Sequence, residues 1–446
     1  MAPFFASLVS IADIVMIRER RQPAEMVIIQ SSNARAVAAL LDKRPAGDPL
    51  VQRRVAAIVR RVRRDGDKAL LKYARAFDGL EGSIEVTRAE MERSARLVDP
   101  TVRWAIGLAA THIRAVAGRQ LPLEWTVTPV PGVTVRQRIL PLDRVGCYVP
   151  AGRYPLPSSL LMTAIPARLA GVPDVIAVCP RPDATVMCAA LEAGVSRLFR
   201  LGGAHAVAAL AYGTATVPRV DRIVGPGNAY VAAAKSLVSA DCAIDFFAGP
   251  SEIAVLSASG RPAWIAADLI AQAEHDPDAR AILITPRARL ARAVAREIRR
   301  QLPTDGPARR ALNSHGGIIV TRTLEEATEL MQRLAPEHAV CDSEAVAARL
   351  TRAGTVFVGG YSAQASGDYV TGSNHVLPTG GAAAARGGLS TADFVRVSTV
   401  QTLTRAGLRR IAPAGIALAV AEGLRAHADS LRIRMAATTP KSKRRS

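Results

Sequence analysis

The segment Ala271–Pro277, Ala-Gln-Ala-Glu-His-Asp-Pro, carries two side chains that could bind a metal ion. The apolar run 264–270 before it predicts a helix, on which Gln272 and His275, three positions apart, share one face. An amide oxygen and a neutral imidazole can both bind a cation, but zinc usually takes at least three protein ligands. The structural alternative is a helix end, with His275 near the negative end of the helix dipole. From this segment alone, the structural alternative is favoured.

Candidates for the missing ligands lie in the last third of the chain. Asp368 belongs to the polar, glycine-punctuated segment 366–379. His427 follows the predicted final helix, which carries Glu422 five residues earlier. For His427 the structural alternative is a helix cap. Together with the first two side chains, these residues form a chemically sensible zinc set, although spacing alone does not show that the four converge.

A carboxyl group stands beside an imidazole at Glu337-His338. Adjacent side chains on a strand or loop point in different directions. The pair could therefore serve two separate proton transfers, one with water and one with a substrate. The structural alternative is a solvated Glu and a capping His in a loop, and it is favoured from these residues alone.

Strand-like and helix-like segments alternate from residue 158 to the helix before Gln272, and again after it. This pattern is typical of parallel sheets covered by helices on both faces, and its two rounds indicate two sheet domains. Before them, residues 49–119 show helical periodicity broken at Gly66, and residues 125–148 show alternation typical of strands and hairpins. Ligands of such sheets bind in loops at the carboxyl ends of the strands.

Two loops between a predicted strand and a predicted helix are rich in glycine, namely Gly202-Gly203 and Gly225-Pro226-Gly227-Asn228. Backbone N–H groups at the start of the following helix could hold a phosphate. Neither loop is GxGxxG, and a tight turn explains each nearly as well. A third loop, Ala248–Glu252, adds the hydroxyl of Ser251, which could face a substrate.

The composition indicates a globular protein of two or more domains, with 446 residues of which 49% are hydrophobic. No segment is long and uncharged enough to span a membrane. The five cysteines form no CxxC pair, which fits reduced thiols in a cytoplasmic protein. In residues 1–25 the basic residues follow an apolar run, the reverse of a secretory signal, so we expect a poorly ordered extension or a start placed too early.

The formal net charge of +20 raises the question of nucleic-acid binding. Most of the arginines are spread along helix-like segments, and only the tail 441–445 is a dense basic block. Aromatic residues make up only 4% of the chain, so stacking platforms for single strands are scarce. We interpret the charge as a solvated face, and nucleic-acid binding is not expected.

Several of these segments together resemble the histidinol dehydrogenase family, zinc enzymes that end histidine biosynthesis. The matching stretches occur in the family's order between Asp48 and Arg434. They are Val145–Pro150, Gly202–Ala204, Gly225–Asn228 with Lys235, Ala248–Glu252, Gln272–Pro277, Pro336–His338, Gly367–Tyr369, Asn374–Thr379 and Glu422–His427.

The resemblance implies an α/β fold with two incomplete Rossmann-like parallel-sheet domains and small helical N-terminal and C-terminal extra domains. The predicted divisions are a disordered extension over 1–25, a helical N-terminal region over 26–124, a first Rossmann-like domain over 125–260, a second over 261–360, and a C-terminal loop and helical dimer-exchange region over 361–446. It also implies a homodimer whose active sites take residues from both chains, so that Glu422 and His427 serve the neighbouring subunit.

The activity implied by the resemblance is the oxidation of L-histidinol to L-histidine through L-histidinaldehyde, with two NAD molecules reduced in turn and one zinc ion per subunit. The zinc would hold the imidazole and amine of the substrate. The implied zinc ligands are Gln272, His275, Asp368 and His427. The implied acid–base pair is Glu337, which would activate water, and His338, which would take the hydroxyl proton at each hydride transfer.

The resemblance further implies which residues contact the two organic ligands. Substrate contacts would come from Ser251, His338 and Glu422, along with the four metal ligands. Tyr148, Asn228 and His205 would contact NAD. The family usually has glutamine at the position of His205; histidine can also donate a hydrogen bond, so we carry the role over.

Two other functions remain open from the sequence. A dehydrogenase of the same fold could act on another small alcohol, such as a sulfonated diol, and Arg153 could bind such an anionic substrate. Gly367-Asp368-Tyr369 and Glu422 favour histidinol, because we associate the divergent group with a basic residue after that Asp. A basic nucleic-acid-binding protein without catalysis is opposed by the complete ligand and Glu-His sets.

Overall fold

The computed structural model describes residues 26–42, 48–150, 155–246 and 249–436. The predicted extension over 1–25, Arg153, Ala248 and the basic tail 441–445 lie outside these ranges. Within the described ranges, no helix is both long enough and apolar enough to cross a membrane. All five cysteines are buried free thiols, in agreement with the prediction of reduced cysteines.

The helices and strands follow the predicted alternation. In chain order the strands are β1 (Val27–Gln30), β2 (Glu85–Val86), β3 (Trp125–Val130), β4 (Val133–Pro141), β5 (Arg144–Tyr148), β6 (Asp174–Val178), β7 (Arg197–Phe199), β8 (Arg222–Val224), β9 (Ala243–Ile244), β10 (Glu252–Leu256), β11 (Arg280–Thr285), β12 (Gly316–Val320), β13 (His338–Cys341), β14 (Thr355–Val358) and β15 (Val395–Leu403). The helices are α1 (Ala34–Leu41), α2 (Pro49–Asp65), α3 (Asp67–Tyr73), α4 (Arg88–Ala95), α5 (Pro100–Ala117), α6 (Pro157–Leu169), α7 (Ala184–Glu192), α8 (Gly203–Tyr212), α9 (Ala229–Val238), α10 (Pro262–Ala273), α11 (Ala288–Gln301), α12 (Ala308–His315), α13 (Leu324–Leu334), α14 (Glu344–Ala347), α15 (Gln364–Tyr369), α16 (Arg405–Ala421) and α17 (Arg425–Ala436).

The first six-stranded sheet has the strand order β2-β7-β6-β5-β8-β9. Its pairings are parallel except at the edge, where β2 runs antiparallel to β7. The N-terminal helices bury the apolar stripes predicted for them on this sheet. Val55 of α2 and Leu70 of α3 pack with Phe199 in one buried cluster, and Ile113 of α5 packs with Val145 in the other. Helices α2, α3 and α5 of the predicted helical region therefore complete the first domain.

The second six-stranded sheet is entirely parallel, with the order β1-β12-β11-β10-β13-β14. The two predicted Rossmann-like parallel-sheet domains are confirmed by these two sheets. Their membership differs from the predicted divisions in two places. Strand β10 falls within 125–260 but pairs with β11 and β13 of the second sheet. Strand β1 falls within the predicted helical region but pairs with β12. Strand partners come from non-local pairing, which local periodicity does not report.

A third, antiparallel sheet joins β3, β4 and β15. Strand β15 pairs with β4 along its whole length, from Val395 opposite Pro141 to Leu403 opposite Val133. The helical hairpin of α16 and α17 follows it. This hairpin leaves large apolar side chains exposed, among them Leu418, Val420 and Ile433. An exposed apolar face of this kind marks a surface that another chain can cover.

Candidate active site

Several of the predicted catalytic and substrate residues lie at the amino-terminal edge of the second sheet. Ser251 directly precedes β10, His275 lies before β11, and Glu337 directly precedes β13. Strands β10 and β13 are parallel neighbours with Ile253 opposite His338, so these segments meet at one edge. These candidate residues therefore precede their strands, whereas the expected ligand loops follow the strands.

The segment 374–379 connects the amino-terminal edge of the second sheet to the first domain, which explains why the candidate residues lie at this edge. Asn374 donates from Nδ2 to the Met162 carbonyl of α6 at 2.7 Å. At its other end, the Gly249 N–H donates to Thr379 Oγ1 at 2.5 Å. The amino edge of the second sheet thus faces the first domain, and the site lies between the two.

The acid–base candidates Glu337 and His338 are both buried and lie beside the backbone of Glu252. Glu337 Oε2 accepts a hydrogen bond from the Glu252 N–H at 2.8 Å. His338 Nδ1 lies 3.3 Å from the Glu252 carbonyl oxygen. A carbonyl can only accept, so Nδ1 carries the hydrogen and Nε2 is left as a free base. His338 Nε2 lies 3.7 Å from Asp368 Oδ1.

Burial shifts the pKa values of the two groups in opposite directions. It raises the pKa of Glu337 well above its usual value. It lowers the pKa of His338 to about 4. Burial penalises the charged form of each group, so both favour the neutral state. A buried acid and a buried base that are both held in the neutral form by their surroundings are a pattern typical of catalytic groups.

Three of the four metal-ligand candidates come from α10, the turn after it, and α15. Gln272 is 1% exposed, and its Oε1 has no hydrogen-bond partner among the described residues. His275 Nε2 lies 3.7 Å from Asp368 Oδ2. Two ligand atoms about 2.1 Å from a tetrahedral zinc would be about 3.4 Å apart, so this gap suits a shared cation better than a direct hydrogen bond.

The pKa shifts of His275 and Asp368 also support the binding of a cation by these side chains. Asp368 raises the pKa of His275. Burial opposes ionisation of Asp368, but the neighbouring His275 and His338 outweigh it and lower the pKa of the carboxyl group. Asp368 is therefore a carboxylate at neutral pH. The buried amide oxygen, imidazole and carboxylate are donors that fit zinc.

The fourth ligand candidate does not join the other three within one chain. Glu422 directly follows α16 and His427 lies in α17, and both are exposed on the hairpin that these two helices form. In the ranges that the structure covers, no three His, Cys, Asp or Glu side chains come together as a metal-binding group. The roles of these two residues stay predictions, and the exposed hairpin is free to reach a second chain.

A substrate role for Ser251 stays a prediction with one supporting observation. Its Oγ is buried and has no hydrogen-bond partner among the residues described. Buried polar atoms are normally paired, so an unpaired hydroxyl at this edge suits a group that a ligand satisfies.

The cofactor candidates lie at the carboxyl edge of the first sheet. Tyr148 ends β5, and its hydroxyl accepts a hydrogen bond from the Gly203 N–H at 2.9 Å. Asn228 caps α9, with Oδ1 accepting from the N–H groups of Tyr230 and Val231. Both glycine loops connect a strand to a helix start, as predicted. Contact with NAD stays a prediction for these residues.

His205 is buried and already has a partner. Its Nε2 lies 2.7 Å from Asp78 Oδ2, and the same oxygen accepts a hydrogen bond from the Gly202 N–H. Only Nδ1 is left for any role toward a cofactor. The sequence did not single out Asp78, because its partners lie far along the chain.

A buried ion pair supports the second glycine loop. Lys235 of α9 pairs with Asp245, and its Nζ donates to the Gly225 carbonyl at 3.0 Å. Asp245 Oδ2 accepts from the Gly225 N–H at 2.8 Å. In the sequence, Lys235 could be recognised as a charged residue inside the apolar run of α9. No local sequence pattern marked Asp245.

Comparison with known proteins places these features in a family. The family model for histidinol dehydrogenase matches residues 42–435. The chain is 46% identical over 413 residues to the histidinol dehydrogenase of Cereibacter sphaeroides, covering 89% of this chain and 95% of that one. It is 45% identical over 399 residues to that of Syntrophotalea carbinolica, covering 86% and 93%. The crystal structure of histidinol dehydrogenase from Elizabethkingia anophelis superposes with a TM-score of 0.87 at 31% identity, over 92% of this chain and 98% of that one. The chain therefore belongs to the histidinol dehydrogenase family.

Proposed function

We propose that this chain oxidises L-histidinol to L-histidine through L-histidinaldehyde, using NAD and zinc, as the last step of histidine biosynthesis. The observation that carries the proposal is the buried Glu337-His338 pair, both members held toward the neutral form by burial, beside the unpaired Gln272 amide and the His275–Asp368 gap. Family membership identifies histidinol as the substrate that these groups serve.

The reaction removes four electrons, because a primary alcohol becomes a carboxylate. Each of two NAD molecules accepts one hydride, and water supplies the second oxygen. Three protons are released in total, counting ionisation of the product acid. His338 takes the hydroxyl proton through Nε2 at the alcohol step, since its Nδ1 is directed at the Glu252 carbonyl. Glu337 takes a proton from the water that attacks the aldehyde, and His338 accepts the proton released at the second hydride transfer.

Gln272, His275 and Asp368 would hold the zinc ion, with His427 as the fourth ligand. Bound zinc supplies a positive charge that fixes the substrate and so orients its reacting carbon. Ser251, His338 and Glu422 would contact the substrate. Tyr148, His205 and Asn228 would contact NAD at the facing edge of the first sheet, which places hydride acceptor and base on opposite sides of one cleft.

We further propose that the active form is a homodimer in which Glu422 and His427 complete the site of the other subunit. Both residues lie on the exposed hairpin, whose apolar side chains include Leu418 and Ile433. A symmetric dimer would cover this face and supply the missing ligand in the same contact. The buried, reduced cysteines support a cytoplasmic location.

The activity is tested by counting NADH formed per L-histidinol consumed, with and without a zinc chelator. Two NADH per substrate, lost on chelation and restored by zinc, is the expected result. No NADH from histidinol, in a folded and zinc-loaded protein, would contradict the proposal and point to another small alcohol as the substrate.

The shared site is tested by subunit mixing. His427→Ala and Glu337→Gln homodimers should both be inactive. Co-expressed in equal amounts, random pairing gives half heterodimers, each with one intact site of two, so about a quarter of wild-type activity should return. If all residues of a site came from one chain, mixing would restore nothing.

A further inference from the structure

We propose that Gln364 is a positioning residue that holds the Asp368 carboxylate in the orientation required for metal binding. This inference rests on the proposed function, because it concerns the same zinc site. Gln364 is the first residue of α15, one turn before Asp368, and is 0% exposed. Its Nε2 donates to Asp368 Oδ2 at 2.8 Å. The amide can face the carboxylate only with its NH₂ group, because two acceptors would otherwise meet without a hydrogen between them.

Asp368 needs such support because it lies between two groups with different tasks. Its Oδ2 is 3.7 Å from His275 Nε2, and its Oδ1 is 3.7 Å from His338 Nε2. Rotation of the carboxylate about its last torsion is soft, so these distances alone do not fix it. The Gln364 N–H takes one lone pair of Oδ2 and leaves the other for a cation.

The backbone on both sides of this hydrogen bond is itself held. His375 Nδ1 lies 2.9 Å from the carbonyl oxygen of Asp368. Asp268 lies one turn before Gln272 on α10; burial raises its pKa to about 6, and a hydrogen bond from the Gln364 N–H opposes that rise. Gln364 thus connects the helix that carries Gln272 with the helix that carries Asp368.

The other end of the amide argues against a role in packing alone. Gln364 Oε1 is buried without a hydrogen-bond partner among the described residues. A buried acceptor left unpaired is destabilising, and an apolar side chain of the same size would avoid that loss. The amide is therefore explained by what its NH₂ group does for Asp368.

The first test is the zinc affinity of purified Gln364→Met, measured by competition with a coloured chelator. Removing a hydrogen bond that orients a metal ligand typically weakens metal binding about 10–100-fold, and we expect a loss in this range. Cobalt substitution gives a second readout, because a misplaced carboxylate changes the visible absorption bands. The matched control is Gln301→Met, since Gln301 is a half-buried amide on α11 that donates to the Ala263 carbonyl at 3.0 Å. Its zinc affinity and cobalt spectrum should match wild type.

The second variant, Gln364→Glu, separates hydrogen bonding from volume. Two carboxyl groups this close cannot both ionise, so they share a proton and retain a hydrogen bond to Asp368. We expect zinc affinity near wild type at neutral pH, with a steeper pH dependence. Wild-type affinity in Gln364→Met, or a loss in Gln364→Glu as large as in Gln364→Met, would overturn the inference. If Gln364→Met does not fold, Gln364→Glu decides. Wild-type protein that binds no zinc would overturn the proposed function as well.

Discussion

The variant Lys235→Met tests whether the buried ion pair beside the second glycine loop supports both the fold and the cofactor site. The side chains of Lys235 and Asp245 are 4% and 1% exposed. Together they bind both backbone polar groups of Gly225, the carbonyl at 3.0 Å and the N–H at 2.8 Å. Methionine preserves most of the lysine volume but leaves the Asp245 carboxylate buried without its counter-ion.

Removing one partner of a buried ion pair costs about 3–5 kcal/mol, because the remaining charge stays desolvated. We expect Lys235→Met to lose that much stability and to raise KM for NAD, since the Gly225 carbonyl loses its donor. The control is Arg88→Met, which breaks the Arg88–Glu92 pair on the surface, where the side chains are 76% and 47% exposed. That change should alter stability by less than about 1 kcal/mol.

Urea unfolding at fixed protein concentration, followed by circular dichroism, measures the loss, and initial rates against NAD concentration measure KM. Lys235→Met/Asp245→Asn removes the isolated charge and should recover part of the stability. A Lys235→Met unfolding midpoint equal to that of Arg88→Met would refute the reasoning. No recovery in the double variant would assign the loss to packing instead of to the uncompensated charge.

Three further predictions follow from the same structure. Burial raises the pKa of Glu337, and a base at this position is active only above its pKa in the zinc-loaded enzyme. Histidinaldehyde oxidation should therefore rise with pH through that pKa, and Glu337→Gln should slow this step about 10²–10⁴-fold and abolish the pH dependence. Burial raises the pKa of the Cys147 thiol to about 12, so iodoacetamide near neutral pH should leave the native enzyme active. Thiol titration should find all five buried cysteines only after unfolding, and rapid inactivation by iodoacetamide would contradict this prediction. Gly225 has a φ of +115°, and a Cβ on it would lie 2.2 Å from the Tyr148 carbonyl oxygen. Gly225→Ala should therefore lower the free energy of unfolding by about 1–3 kcal/mol and raise KM for NAD. The control Gly82→Ala, whose Cβ would meet open space, should change neither quantity.

Local sequence patterns predicted most of the helices and strands. Strand β14 and helix α11 belong to the predicted alternation, because apolar spacing and flanking turns define them. The predicted helical region 49–119 is also divided at Asp99, which caps α5, and Pro100, which begins it.

The features that the sequence could not predict are contacts between residues that lie far apart along the chain. The pairing of β1 with β12 joins segments almost three hundred residues apart, and no local periodicity encodes a partner. The same limit applies to the partners of the site. Asp78 faces His205 across 127 positions, and Glu252 faces Glu337 across 85. Single residues of suitable chemistry could be named from the sequence, but the groups that orient them depend on how the two sheets meet.

The arrangement of the acid–base pair would give the proposed cation a second role. Burial favours the neutral form of both Glu337 and His338, and the negative charges of Glu252 and, to a smaller extent, Asp368 raise the pKa of Glu337 further. Left alone, the pair would rest as a protonated acid beside a free imidazole, which suits the alcohol step but not the activation of water. A cation held by Gln272, His275 and Asp368 would offset the Asp368 charge and lower the pKa of Glu337 toward neutrality. The same positive charge that orients the substrate would then make Glu337 a competent base, which links the metal to the second oxidation as well as to the first.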